Sequence, residues 1–148
     1  MAKYKRLFLD GHSYYITMVA HKRQPLLVDN IELLREGFRE SKKYYVYAID
    51  AIVIMPDHIH MIITPKHATD YPKIIKAIKY NFSRHFNREE EQSYSRYKRK
   101  LKPIWQKRYY EHTIRNEKDY VRCLEYMRDN PLKHGYIANG EVWEYISL

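Results

Sequence analysis

The stretch Ala51–Pro65, AIVIMPDHIHMIITP, constrains the fold of this chain more than any other. Two runs rich in β-branched and aliphatic residues flank Met55-Pro56-Asp57, and proline followed by aspartate interrupts any regular element. The pattern predicts a strand over Tyr45–Met55, a tight turn at Pro56-Asp57 and a second strand over Ile59–Pro65, together an antiparallel hairpin. Residues two apart on a strand share a face, so His58 and His60 project together while Ile59 points the other way into a core. Two imidazoles side by side on a rigid strand can hold a metal. Taken alone, however, a His-x-His pair on a half-apolar strand is more often structural than functional.

Charge narrows the possible partners. The 148 residues carry 27 Lys+Arg against 18 Asp+Glu, a formal charge of +9, with sixteen tyrosines. Such an excess attracts polyanions, and tyrosine rings stack on unpaired bases. A solvated basic face and ordinary core filling account for both equally well. Cys123 is the only cysteine, which excludes an intramolecular disulfide and a cysteine-rich zinc cluster. A metal must then rest on histidine, carboxylate or amide. With no apolar run of membrane-spanning length and a charged N-terminus, the expectation is a soluble cytoplasmic protein with no membrane partner, folded as one domain over residues 1–148.

In chain order, Gly11-His12-Ser13 reads as a turn and Tyr14–Val19 as the first strand. Asp29 with Glu32 suggests a capping box opening a helix to about Lys43, buried along Ile31, Leu34 and Phe38. Thr69 or Asp70 can cap a second helix with Pro72 in its first turn, and Ile74, Ile78, Phe82 and Phe86 mark its buried face. Arg88–Lys102 is mixed charge with few core residues, a helix extension or an excursion. Tyr109–Ile114 reads as a fourth strand. Asn116 caps a last helix running to about Asn130, where Pro131 is expected to end it. At about 100° per residue, Tyr120, Cys123, Leu124 and Met127 share a stripe of this helix, with Tyr126 and Asn130 side by side along its edge. The tail Gly135–Leu148, with Trp143 and Ile146, is expected to pack back. The order β-α-β-β-α-β-α predicts an α+β fold, a ferredoxin-like sandwich of antiparallel sheet with helices on one face and a C-terminal helix near the histidines.

Four stretches resemble one-tyrosine HUH transposases, and among them the REP-associated tyrosine transposases: Gly11–Thr17 (G-x-x-Y-Y-I-T), Met55–His60 (M-P-D-H-I-H), Trp105–Arg115 (W-Q-K-R-Y-Y-E-H-T-I-R) and Tyr126–Gly135 (Y-M-R-D-N-P-L-K-H-G). The resemblance implies that His58 and His60 are metal ligands, that Asn130 is the third, and that Tyr126, four residues before the amide, is the nucleophile rather than Tyr109 or Tyr110. It implies a divalent metal, Mg²⁺ or Mn²⁺, and single-stranded hairpin DNA as the partner. The implied reaction attacks phosphorus, gives a 5′-phosphotyrosine and frees a 3′-hydroxyl. Relatives act as homodimers exchanging tyrosines or as monomers in cis.

Other residues carry weaker expectations. Arg23, Lys76 and Lys79 are candidate contacts to the DNA backbone, against the reading that they are merely solvated. Lys133 and His134 follow the tyrosine helix and are placed to reach phosphate. His112 is a DNA or outer-sphere contact, or else supports strand packing. Tyr109 and Tyr110 stack on a base or fill the core. The alternative function is a ferredoxin-like nucleic-acid-binding protein, derived from a transposase, that binds without strand transfer. A phosphoesterase with a doubled His-x-Thr/Ser signature is disfavoured, because that signature occurs once, at His67-Ala68-Thr69.

Overall fold

β1 (Tyr14–Val19) feeds two cores, because its successive side chains face opposite ways. Tyr14, Ile16 and Met18 are fully buried on one side and Tyr15 is buried on the other. β2 (Tyr47–Ile54) and β3 (His58–Pro65) form the expected antiparallel hairpin, and β3 also pairs antiparallel with β1. β4 (Tyr110–Thr113) lies beyond β1, and the two-residue β5 (Ile146–Ser147) lies beyond β2. The order β4-β1-β3-β2-β5 is an antiparallel sheet of the ferredoxin-like kind with one added edge strand. The computed structural model describes residues 8–90 and 104–148, so most of the mixed-charge stretch Arg88–Lys102 lies outside the described residues.

Helices α1 (Ile31–Lys42) and α2 (Tyr71–Glu90) cover the first face. Leu34, Phe38, Ile74, Ile75, Ile78 and Phe82 there meet Ile16, Ile59, Met61 and Ile63. Each fully buried aliphatic or phenyl side chain contributes about 1.5–3 kcal/mol relative to exposure. The two helices touch at Gly37, where an added Cβ would lie 3.1 Å from the Ile78 carbonyl oxygen. Helix α3 (Glu117–Lys133) packs on the opposite face, not beside α1 and α2, and its stripe Tyr120, Cys123, Leu124 and Met127 covers Tyr15, Ala51, Val53 and Ile62. That face is the one His58 and His60 share with Ile62. The tail does pack back, through β5 and through Trp143, whose Nε1 donates to the Ile54 carbonyl at 2.9 Å.

Several local expectations are corrected. Asp29 and Glu32 form no capping box: Asn30 is the N-cap of α1 without a side-chain cap bond, its amide donates to the Leu26 carbonyl, and Glu32 pairs with Arg35. Asp70 directly precedes α2, but out of a short 3-10 turn over Ala68–Asp70. Pro131 does not end α3, which runs on to Lys133. An interior proline costs about 3 kcal/mol through a lost hydrogen bond and a clash one turn back. Here Met127, Asn130 and Pro131 are buried against the sheet, and that burial offsets the cost. Gly135, at φ +77, then closes the helix, with Gly135 N–H on the Leu132 carbonyl and Tyr136 N–H on the Pro131 carbonyl. Among the described residues no helix is long and apolar enough to cross a membrane.

Candidate active site

The site is built on β3, in the middle of the sheet. His58 and His60 are both buried, their ring centroids 4.8 Å apart and nearly perpendicular. Antiparallel register sets Thr17 opposite His60, and Tyr15 lies diagonal to it on the same face. Both hydroxyls reach His60 Nδ1 at 2.8 Å. For Nε2 to face a cation, Nδ1 carries the proton and donates it to a hydroxyl oxygen. Burial first, then the electrostatic influence of His58, His134, Arg23 and Lys133, pushes the His60 pKa down to about 3. The ring is therefore neutral at physiological pH, with a lone pair to offer. Burial also pushes the Tyr15 phenol up, so its hydroxyl stays protonated beside the imidazole.

His58 is held from both sides. Asp57 Oδ1 lies 2.6 Å from Nδ1, and Asn130 Oδ1 lies 3.0 Å from Nε2. Burial works against the Asp57 carboxylate, but the hydrogen bond from His58 together with the Arg23 guanidinium outweighs it and holds its pKa below the usual range. Arg23 Nε donates to Asp57 Oδ2 at 3.0 Å. Its loop is stitched to the turn by Ala20 N–H on the Asp57 carbonyl and Leu27 N–H on the Pro56 carbonyl. Lys22 and Arg23 both sit at φ +53, a left-handed conformation that costs about 1–2 kcal/mol per non-glycine residue. Strain of this kind is retained where the surroundings over-determine it, as they do here.

Helix α3 supplies the other half. Asn116 caps its start as the sequence indicates, accepting from Asp119 N–H at 2.8 Å. The helix stays regular through Pro131, so Tyr126 and Asn130 lie one turn apart on adjacent positions. Asn130 is fully buried, and its Nδ2 has no hydrogen-bond partner. With His58 Nδ1–H given to Asp57, the His58 Nε2 lone pair and the Asn130 oxygen face one another. Two imidazoles and one amide oxygen, with the Asn130 Nδ2 left without a partner, form a donor set that fits a divalent ion. Tyr126 is 44% exposed, its ring 5.4 Å from that of His60. Lys133 Nζ stands 5.1 Å from the Tyr126 ring centroid, and the His134 ring is 5.2 Å from His58.

The weaker candidates divide. His112 lines the same cavity as His60 and Tyr126, about 450 Å³ in volume, but its Nε2 is paired with Asp119 at 2.8 Å. Tyr110 forms the far wall, whereas Tyr109 is partly buried under the Lys79 ammonium, 5.6 Å from its ring. Lys76 and Lys79 lie on α2, across the sheet from the histidines, beside a second cavity of about 600 Å³ with Tyr80 and Lys107. Arg23 keeps an exposed flank while its Nε is committed to Asp57. Sequence reasoning missed Asp57, Tyr15 and Thr17 as supports of the histidines. Asp57 was detectable as a carboxylate next to a ligand-type histidine; the other two needed the strand register.

The buried neutral His60 predicts a pH dependence in chelator-treated protein. Below about 6.5 the unfolded chain protonates this histidine, whereas the folded one resists until about 3. The unfolded state thus binds more protons across that window, and stability falls as pH falls, by about 1.4 kcal/mol per pH unit from this residue. Denaturant titrations at about pH 6 and about pH 4.5 should show a smaller loss in His60→Gln than in wild type. Equal losses would refute the assignment.

Comparison with known proteins gives the family. The profile of the family described as "Transposase IS200 like" matches residues 9–130, a span containing both histidines, Tyr126 and Asn130. The chain is 35% identical to a Haemophilus influenzae protein assigned to the REP-associated tyrosine transposases, over 100% of this chain and 86% of that one. It is 31% identical to the REP-associated tyrosine transposase of Escherichia coli K12, over 98% and 81% respectively. A solved REP-associated tyrosine transposase bound to a REP hairpin superposes with a TM-score of 0.82 at 30% identity, covering 99% of this chain and 82% of that one. By sequence and by fold, then, the chain belongs to the IS200-like transposases and, within them, to the REP-associated tyrosine transposases.

Proposed function

We propose that this protein is a metal-dependent endonuclease and strand transferase for single-stranded, hairpin-containing DNA, working through a covalent 5′-phosphotyrosine at Tyr126. One observation carries the reading: an exposed tyrosine and a buried, half-unsatisfied amide, one helical turn apart, meet the two histidines of β3 on a single face. His58 and His60, each through Nε2, and Asn130 through Oδ1 would hold the ion. When bound, a divalent cation polarises the scissile phosphate and screens its charge.

The remaining steps belong to the chain. The Tyr126 hydroxyl gives its proton to solvent and attacks phosphorus, forming an O–P bond as the P–O3′ bond breaks and the departing oxygen takes up a proton from solvent. Free tyrosine has a pKa of about 10, so the phenolate needs nearby positive charge, and Lys133 stands over the ring. The phosphodiester energy is kept in the phosphotyrosine, so a 3′-hydroxyl can reverse the step and rejoin DNA. Asp57 and Arg23 hold His58 in its tautomer, and Tyr15 and Thr17 do the same for His60. Hairpin DNA as the substrate is supported by the solved relative bound to a REP hairpin and by the chain's basic excess.

The test is incubation with a single-stranded oligonucleotide containing a hairpin and Mn²⁺, followed by a denaturing gel. A covalent protein–DNA adduct that disappears with a chelator is the expected result. Hairpin binding with no adduct in either Mg²⁺ or Mn²⁺ would overturn the strand-transfer reading in favour of the binding-only alternative. Affinity for the hairpin should also fall about 10³-fold between about 50 mM and about 200 mM salt if about six phosphates are neutralised, and a salt-insensitive affinity would count against the basic-surface argument.

A further inference from the structure

We propose that His112, Asp119 and Cys123 form a second, softer metal site, suited to Zn²⁺ or a similar borderline ion, that ties β4 to the helix carrying Tyr126. His112 projects from β4; Asp119 and Cys123, four residues apart, share a face of α3. One ligand atom from each of the three lies within 4.8 Å of the others. His112 Nε2 is 2.8 Å from both Asp119 oxygens. Ligand bonds of about 2.0–2.3 Å in tetrahedral geometry need donor atoms roughly 3.3–3.8 Å apart, so the imidazole and carboxylate must part by about half an ångström. A side-chain rotation supplies that.

The surroundings suit a held ion. Arg115 N–H donates to Asp119 Oδ2 at 3.1 Å, and Asn116 accepts from Asp119 N–H, which fixes the carboxylate and its backbone from behind. His112 and Cys123 also line the cavity beside Tyr126, which gives an ion a way in and leaves a fourth position facing solvent. Thiolate and imidazole select Zn²⁺ or Co²⁺ over Mg²⁺ or Mn²⁺, and the thiolate sets this site apart from the sulfur-free set at His58, His60 and Asn130. On binding, the Cys123 thiol releases its proton to solvent and His112 Nε2 gives up its hydrogen, to Nδ1 or to solvent. Nothing is oxidised or reduced. The ion would clamp α3 one turn before Tyr126.

Co²⁺ is the probe, because thiolate-to-Co²⁺ charge transfer absorbs in the near ultraviolet and Cys123 is the only thiol in the chain. Titration of the full chain in a thiol-free reductant should develop this band in wild type and in His58→Ala. Cys123→Ser should lose it, and Asp119→Asn should weaken Co²⁺ at least about tenfold at unchanged fold. Zn²⁺ should bleach the band and, with the other histidine pair disabled by His58→Ala, raise the Tm only while Cys123 is present, not in the His58→Ala/Cys123→Ser double variant. Absence of a thiolate band in wild type would overturn the proposal, leaving His112–Asp119 as an ion pair alone. So would a band that survives in Cys123→Ser, or one unaffected by Asp119→Asn. The readout involves no DNA, so its failure and that of the transposase reading are independent.

Discussion

Tyr126→Phe should abolish the covalent DNA adduct and lower strand cleavage by at least about 10⁴-fold, the scale of removing a nucleophile that acts as part of a unit. The substitution deletes one hydroxyl and keeps the ring, so the edge-on contact with His60 and the Lys133 ammonium over its face persist. Hairpin affinity and Tm should therefore match wild type, which separates lost chemistry from lost folding. No nearby phenol is a ready substitute. Tyr15 is buried, its hydroxyl is engaged by His60, and burial raises its pKa, so it makes a poor nucleophile. Tyr110, 60% exposed, stands on β4 across the cavity. The measurement is a denaturing gel with labelled DNA. An adduct that persists in Tyr126→Phe and vanishes in Tyr109→Phe or Tyr110→Phe would move the nucleophile to the start of β4 or the residue before it.

Asn130→Ala should separate activity from stability in the other direction. Cleavage should fall about 100-fold or more and demand higher Mn²⁺, because one of the three proposed ligands is gone and His58 Nε2 loses its neighbour. Stability in chelator should change by no more than about 1 kcal/mol. Deleting the amide removes a buried Nδ2 with no partner, a relief of about 1–3 kcal/mol, against the opening of a small cavity beside His58. Thermal melts and Mn²⁺-dependent cleavage rates on the same preparations would check both halves. A variant that keeps full activity, or one that is strongly destabilised, would remove Asn130 from the proposed site and return it to the fold.

Much of this site was legible because it depends on local periods. The two-residue repeat of a strand puts His58 and His60 on one face, and the 3.6-residue repeat of a helix puts Tyr126 beside Asn130. Asn116 signalled the start of α3 correctly. The end of α3 was misread because the bias of a residue preceding proline away from helix is weak, and the burial of Asn130 and Pro131 overrode it. The α1 capping box failed for a related reason. The helix starts one residue later than read, with Asn30 as N-cap, and Glu32 pairs with Arg35 one turn onward rather than reaching back.

From residues alone came the hairpin, the alternation that pairs the histidines, the apolar stripe of α3 and the resemblance to a transposase family. Only the tertiary structure decided which face of the sheet α3 covers. It also decided that Tyr15 and Thr17 back His60, that Asp57 and Arg23 back His58, and that His112 meets Asp119 and Cys123. It further showed a register shift in β2 between Ile49 and Ala51, which keeps Ile49 and Ile52 in one core and turns Ala51 and Val53 towards α3. The division has a physical cause. Periodicity is imposed by backbone geometry within a few residues, whereas strand register and helix side are settled by packing between segments tens of residues apart, where many local patterns are compatible and burial selects one.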